Sequence, residues 1–159
     1  MGGPSRDTLN RRAWRSQSLK AIRRLRDRRL VDVAADMGMK PRTYEYFESG
    51  RGPLNVDRIH QFADVLDADP YAILMAIEIG SPAFAVRCAG NKMITGLTIA
   101  MLELDAMAGD DIAQLDPNLL MKVFSQMCDS LADQARERRA IAERWKASRN
   151  PGSAGDEGG

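Results

Sequence analysis

"MGMKPRTYEYFESG", residues 37–50, decides how this chain is read. Gly38 centres a turn. Pro41 cannot sit deep in a helix, because its ring blocks the carbonyl one turn back and it has no N–H to give. Aromatic and charged residues then intermingle as far as Gly50. The pattern predicts a short helix with Lys40 at its cap, Pro41 in its first turn, where the missing N–H costs nothing, and Gly50 at its stop. Tyr44 and Phe47, three apart, share its inner face, which leaves Arg42, Thr43, Glu45 and Tyr46 outside.

On the N-terminal side, a helix is expected from about Trp14, with Leu19, Ile22 and Leu25 inside and Lys20, Arg23, Arg24 and Arg26 outside. A second, from about Arg29 to Met37, turns Val33, Ala34 and Met37 inward and ends at Gly38 in a left-handed conformation. Residues 1–13 show no periodicity and read as a flexible basic arm. On the C-terminal side, Asn55 caps a fourth helix with Ile59, Phe62, Ala63 and Leu66 inward. Asp69 and Pro70 open a fifth, and Gly80 closes it. Residues 14–80 thus read as a bundle of five short helices.

The pattern changes at Ser81-Pro82. From about Ala83, apolar or small residues recur at Val86, Gly90, Met93, Leu97, Ala100, Leu104 and Met107, the alternating 4-3 steps of a heptad seam. After the polar stretch "AGDDIAQLD", Asp116-Pro117 starts another helix with a seam at Leu120, Phe124, Met127 and Leu131. Gln134 and Arg138 interrupt that seam before Ile141 and Trp145 resume it. Residues 81–149 are expected to fold as a long helical hairpin. Ile94, Met101, Leu119 and Val123 widen the seams beyond what one hairpin buries. The excess predicts a homodimer, or a partner protein, at Met93, Ile94, Leu97, Met101, Leu104, Phe124, Met127 and Leu131. The tail, 150–159, is too polar and Gly-rich to order.

The 159 residues carry a formal net charge of +1, unevenly spread. Residues 1–60 hold 14 Lys and Arg against 7 Asp and Glu, a balance of +7 that suits a polyanionic partner. No apolar run approaches the roughly 20 residues of a membrane span. The N-terminus lacks the apolar core of a secretory signal, so a cytoplasmic, nucleoid-associated protein is expected. Cys88 and Cys128 read as buried free thiols.

A short helix, a Gly turn and a second short helix inside a five-helix bundle form helix-turn-helix architecture. Over Leu19–Leu74 the chain resembles the Cro/C1-type helix-turn-helix proteins, the phage repressor and XRE-like group of transcriptional regulators. "VAADMGMKPRTYEYFESGRG" and "NVDRIHQFADVLDADPYAIL" carry the likeness. Ala34 matches the packing Ala of the second helix, Gly38 the turn glycine, Tyr44 and Phe47 the core pair, and Glu48-Ser49-Gly50 the Glu-x-Gly ending. Asp27-Arg28 stands where the family usually has Gly-Leu, and Leu30 or Leu25 fills the missing apolar position. The resemblance implies an all-α fold and sequence-specific binding of double-stranded DNA, with helix 40–49 in the major groove. Lys40, Arg42, Thr43 and Tyr46 would then meet base edges, Arg42 being suited to a bidentate bond to guanine. Arg29, Arg51, Asn55 and Arg58 would meet phosphates. The arm (Arg6, Arg11, Arg12, Arg15) would track the backbone or enter a minor groove.

Other chemistry finds little footing. His60 is the sole histidine and lies beside inward positions, so neither a metal site nor a catalytic triad can be assembled around it. "GNKMITG", residues 90–96, lacks the Lys-Ser/Thr ending of a phosphate loop, and Gly90 and Gly96 read as sites of close helix packing. No cofactor and no enzymatic activity are expected. The C-terminal hairpin leaves three readings open: a repressor's dimerisation element, an activator's contact with RNA polymerase or its sigma subunit, or, in another class, a protein-interaction module such as an antitoxin or inhibitor.

Overall fold

A computed structural model describes residues 5–149, and the expectations for residues 1–4 and 150–159 lie outside the described residues. The described residues are helical, without a strand: α1 (Arg6–Leu25), α2 (Leu30–Asp36), α3 (Pro41–Glu48), α4 (Val56–Leu66), α5 (Pro70–Glu78), α6 (Pro82–Cys88), α7 (Met93–Ala108), a 3-10 turn (Gly109–Gln114) and α8 (Pro117–Arg149). One compact unit runs through Met107 and a second begins at Ala108. No described helix is long and apolar enough to cross a membrane.

The first unit is built around Leu19, Ile22, Val33, Ala34, Tyr44, Ile59, Phe62 and Ile73, all without exposed surface. Leu25 is half exposed, whereas Leu30 packs on this core. Leu30 therefore fills the position left apolar-poor by Asp27-Arg28. Asp27 itself takes the left-handed conformation (φ 49°) that a glycine would adopt most easily.

Several expectations fail in the structure. The segment expected as a flexible arm is helical from Arg6. Ser5 accepts a hydrogen bond from Thr8 N at 3.2 Å, and Asp7 lies in the first turn, favourably placed against the helix dipole. Arg11 of that segment pairs with Glu78 on α5. Arg15 is buried, with Nη2 donating to the carbonyls of Gly50 and Gly52, so neither side chain is a loose cation.

The expected helix from Ala83 to Met107 is two helices. The chain breaks at Ala89–Lys92, with Lys92 in the left-handed region (φ 54°). α6 belongs to the bundle, packing on α1 and α5 and burying Ala85, Cys88 and Ala89. The boundary expected at Gly80 therefore falls near Met107 instead. Ile94, assigned to an intermolecular seam, is buried against Ala72 and Cys88, with Met93 and Leu97 partly buried beside it. Gly90 and Gly96 face open space within the chain, so they serve no close packing there.

One carboxylate explains the break. Asp69 is 1% exposed. Its Oδ1 accepts from Tyr71 N at 3.1 Å and Ala72 N at 3.2 Å, capping α5. Its Oδ2 accepts from Ile94 N at 2.8 Å and Thr95 N at 3.1 Å, satisfying the first turn of α7, and Thr95 Oγ1 donates to Oδ1 at 2.8 Å. Two helix N-termini share one cap. Lys92 reinforces the joint by donating to Ala68 O and pairing with Asp67, both at 2.8 Å.

The second unit contains the 3-10 turn and the 33-residue α8. Asp116 caps α8, accepting from Asn118 N at 2.8 Å and Leu119 N at 3.0 Å. No residue of α8 is buried. Phe124, Met127 and Leu131 are exposed, and so is Cys128, contrary to the buried thiol expected there.

Candidate nucleic-acid interface

α2 ends on Met37. Gly38, at φ 64°, reverses the chain, and Met39 N returns to Ala34 O at 2.8 Å while Gly38 N bonds Ala35 O at 2.9 Å. These are the paired bonds of a left-handed helix stop. Gln61 of α4 donates to Met37 O at 2.8 Å and pins the turn from below. Lys40 then takes the cap position of α3, with Pro41 first in the helix.

α3 is held from behind by more than its aromatic pair. Tyr44 is fully buried, and Phe47 bridges it to Phe62 through tilted ring contacts. Glu48, 2% exposed, accepts Tyr44 Oη at 2.6 Å and a two-pronged Arg23 from α1, with Nε and Nη2 each at 2.8 Å. Arg23 Nη1 also donates to Arg28 O at 3.1 Å, tying the α1–α2 turn to the same cluster. The hydrogen bonds and charge of Glu48 push the Arg23 guanidinium's pKa up, against its partial burial. Burial, and then the bond to Glu48, push the Tyr44 phenol well above the usual tyrosine range. Arg23 was expected on the outer face of α1. Its pairing depends on a carboxylate 25 residues away, which helical periodicity cannot reveal.

With that anchor in place, Arg42, Thr43, Glu45 and Tyr46 are exposed on the opposite side of α3, and Lys40 is exposed at its cap. Tyr46 is 53% exposed, and its ring lies over Gly52, where an added Cβ would come within 3.0 Å of it. The loop after α3 thus fixes the tyrosine's direction. Arg42, Glu45, Tyr46 and Ser49, one face of α3, line an open cleft with Lys20 of α1 and Arg51 of the following loop. Three cations from three segments share this cleft.

The other cations of the basic half are largely committed elsewhere. Arg26 donates to Leu66 O and Asp67 O, at 2.9 and 2.5 Å. Arg28 pairs with Asp36. Arg29, expected at a phosphate, caps α2 and forms two bonds to Asp32, at 2.7 and 2.9 Å, which hold that carboxyl below its usual range. Arg58 donates to Gln61 at 3.2 Å, and Asn55 spends its side chain capping α4 at 3.0 Å. Of the four expected phosphate residues, Arg51 alone lines the cleft. Lys20 joins it unforeseen, although its place one residue after the buried Leu19 marks it as outward-facing.

His60 meets Tyr71 edge-on at 5.1 Å between ring centroids, and the described residues hold no group of three or more metal-ligating side chains. Compared with protein-family models, curated proteins and solved structures, the chain matches none.

Proposed function

We propose that this chain is a sequence-specific DNA-binding regulator of transcription of the Cro/C1-type helix-turn-helix kind, with α3 entering the major groove. The observation that carries the reading is the sorting of cations. Arg11, Arg23, Arg28 and Arg29 pair with carboxylates and Arg15 and Arg26 with backbone carbonyls, while Lys20, Arg42 and Arg51 gather around the exposed face of α3. Arg42 and Tyr46 lie four residues apart on that face, as base-reading side chains of one helix must. Lys40 and Thr43 flank them, and Arg51 and Lys20 supply the charge that a phosphate backbone attracts.

The interior of the bundle supports the same reading. A recognition helix has to keep its orientation while its polar face is desolvated, and the Arg23–Glu48–Tyr44 cluster locks α3 to α1 beside the cleft, whose wall Glu48 shares.

Titration of the full chain against fragmented genomic duplex, followed by footprinting of retained fragments, tests the proposal. The expected result is protection of discrete sites, with affinity falling steeply as salt rises. Equal affinity for all fragments, or binding indifferent to Arg42→Ala, defeats it.

A further inference from the structure

The apolar seam of α8 is not buried, and no residue of that helix is. Phe124, Met127, Leu131, Ile141 and Trp145 are all exposed, the last at 56%. Its charges are arranged differently. Arg136 pairs with Asp133 at 2.8 Å and Arg139 with Glu143 at 2.9 Å, all four residues off the seam. Four charges off the seam are thus paired within the helix, while the seam from Leu120 to Trp145 is apolar except at Gln134 and Arg138. A 33-residue helix with such a stripe gains most of its stability from packing that stripe on a partner.

The two polar seam residues select the partner. We propose that α8 pairs antiparallel with α8 of a second copy, in the register that sets Gln134 of each copy opposite Arg138 of the other. The same register sets Leu131 opposite Ile141, Met127 opposite Trp145 and Phe124 opposite Ser148. Polar layers then meet polar layers twice, related by the two-fold axis, with each Gln134 amide oxygen able to accept from a guanidinium. Apolar layers meet on either side, Met127 against the Trp145 ring being a favourable sulfur–aromatic contact.

Competing pairings are worse. A parallel pair stacks Arg138 on Arg138, two like charges in one buried layer. An antiparallel shift of one heptad sets Arg138 against Ile141 or against Met127, leaving the guanidinium without a polar partner. One flank of the seam carries Cys128, Ala135 and Ala142 at heptad spacing, small enough for the helices to approach closely in the chosen register. This pairing stands independently of what α3 binds.

The register puts Cys128 of one copy beside Ala142 of the other, whereas within one helix the two lie roughly 21 Å apart. The full-length Ala142→Cys protein should therefore form a covalent dimer on mild oxidation, and adding Cys128→Ser should abolish it. Sedimentation equilibrium should show a dimer for the unaltered protein, tightened severalfold by Gln134→Glu, which turns each polar layer into an ion pair. A monomer at all concentrations overturns the proposal. So does a dimer that Ala142→Cys fails to cross-link, one whose cross-link survives Cys128→Ser, or one weakened by Gln134→Glu.

Discussion

Arg23 and Glu48, 25 residues apart, form a two-pronged ion pair with both N–O distances at 2.8 Å, and that pair fastens α3 to α1. Glu48 is 2% exposed and Arg23 carries 16% of its side-chain surface in solvent. Removing one partner of such a pair strands the other. Arg23→Ala should cost about 3–5 kcal/mol, measured as a lowered urea midpoint. Adding Glu48→Gln should recover part of the loss, because a neutral amide is cheaper to leave in the core than a carboxylate. A single substitution costing under about 1 kcal/mol would mean that the pair is solvated.

Alkaline pH should unfasten the same cluster. Burial and then Glu48 raise the Tyr44 pKa above its unfolded value. The native state therefore holds the phenolic proton where the unfolded chain releases it. Its contribution is complete below about pH 10 and declines as pH climbs further. Cys88, raised mainly by burial, acts with the same sign from about pH 9. Thermal unfolding across pH 7–11 should show falling stability. Tyr44→Phe should flatten the upper part of that slope while costing about 1 kcal/mol at neutral pH for the lost hydrogen bond.

Two glycines with similar backbone angles should respond unequally to alanine. Gly38 (φ 64°) has open space around an added Cβ, so Gly38→Ala should cost only left-handed strain, about 1–2 kcal/mol. Gly50 (φ 73°) abuts α1, where a Cβ would lie 2.2 Å from the backbone oxygen of Arg12. Gly50→Ala must push a helix aside. It should destabilise far more than Gly38→Ala in the same denaturation series.

Asp69→Ala removes the shared cap of α5 and α7. The loss should be about 2–4 kcal/mol, two capping contributions together. Hydrogen exchange locates it: Ile94 and Thr95 amides should lose protection more than those of Leu19 or Ile22. Equal loss everywhere would point to global unfolding alone.

If α3 reads DNA, Lys20→Ala and Arg51→Ala should weaken binding uniformly across sequences, each lowering the salt slope by about 1. Arg42→Ala should cost about 1–3 kcal/mol and relax preference at one base position. Quantitative titrations at three salt concentrations separate the two behaviours.

The local elements were legible because their causes are local. Gly38 and Gly80 stand at left-handed stops, Asn55 and Asp69 at caps, and Leu19, Ile22, Val33 and Ile59 at buried helical positions. Each follows from backbone sterics, hydrogen-bond demand or apolar spacing within one or two turns. Tertiary contacts decided the rest. The helix start at Arg6 joins a local cap from Ser5 to docking of Arg11 and Arg15 on Glu78 and the Gly50 and Gly52 carbonyls, far along the chain, and that docking leaves no periodic trace.

The α6–α7 break was hidden because heptad spacing runs straight through it, while a carboxylate 25 residues earlier caps the second helix. Which arginines remain available was equally illegible. Pattern places all of them outside, and only the folded chain brings Glu48, Glu78 and the loop carbonyls up to Arg23, Arg11 and Arg15. A side chain's spacing selects its face, but its charge is spent or spared by neighbours that distant segments deliver.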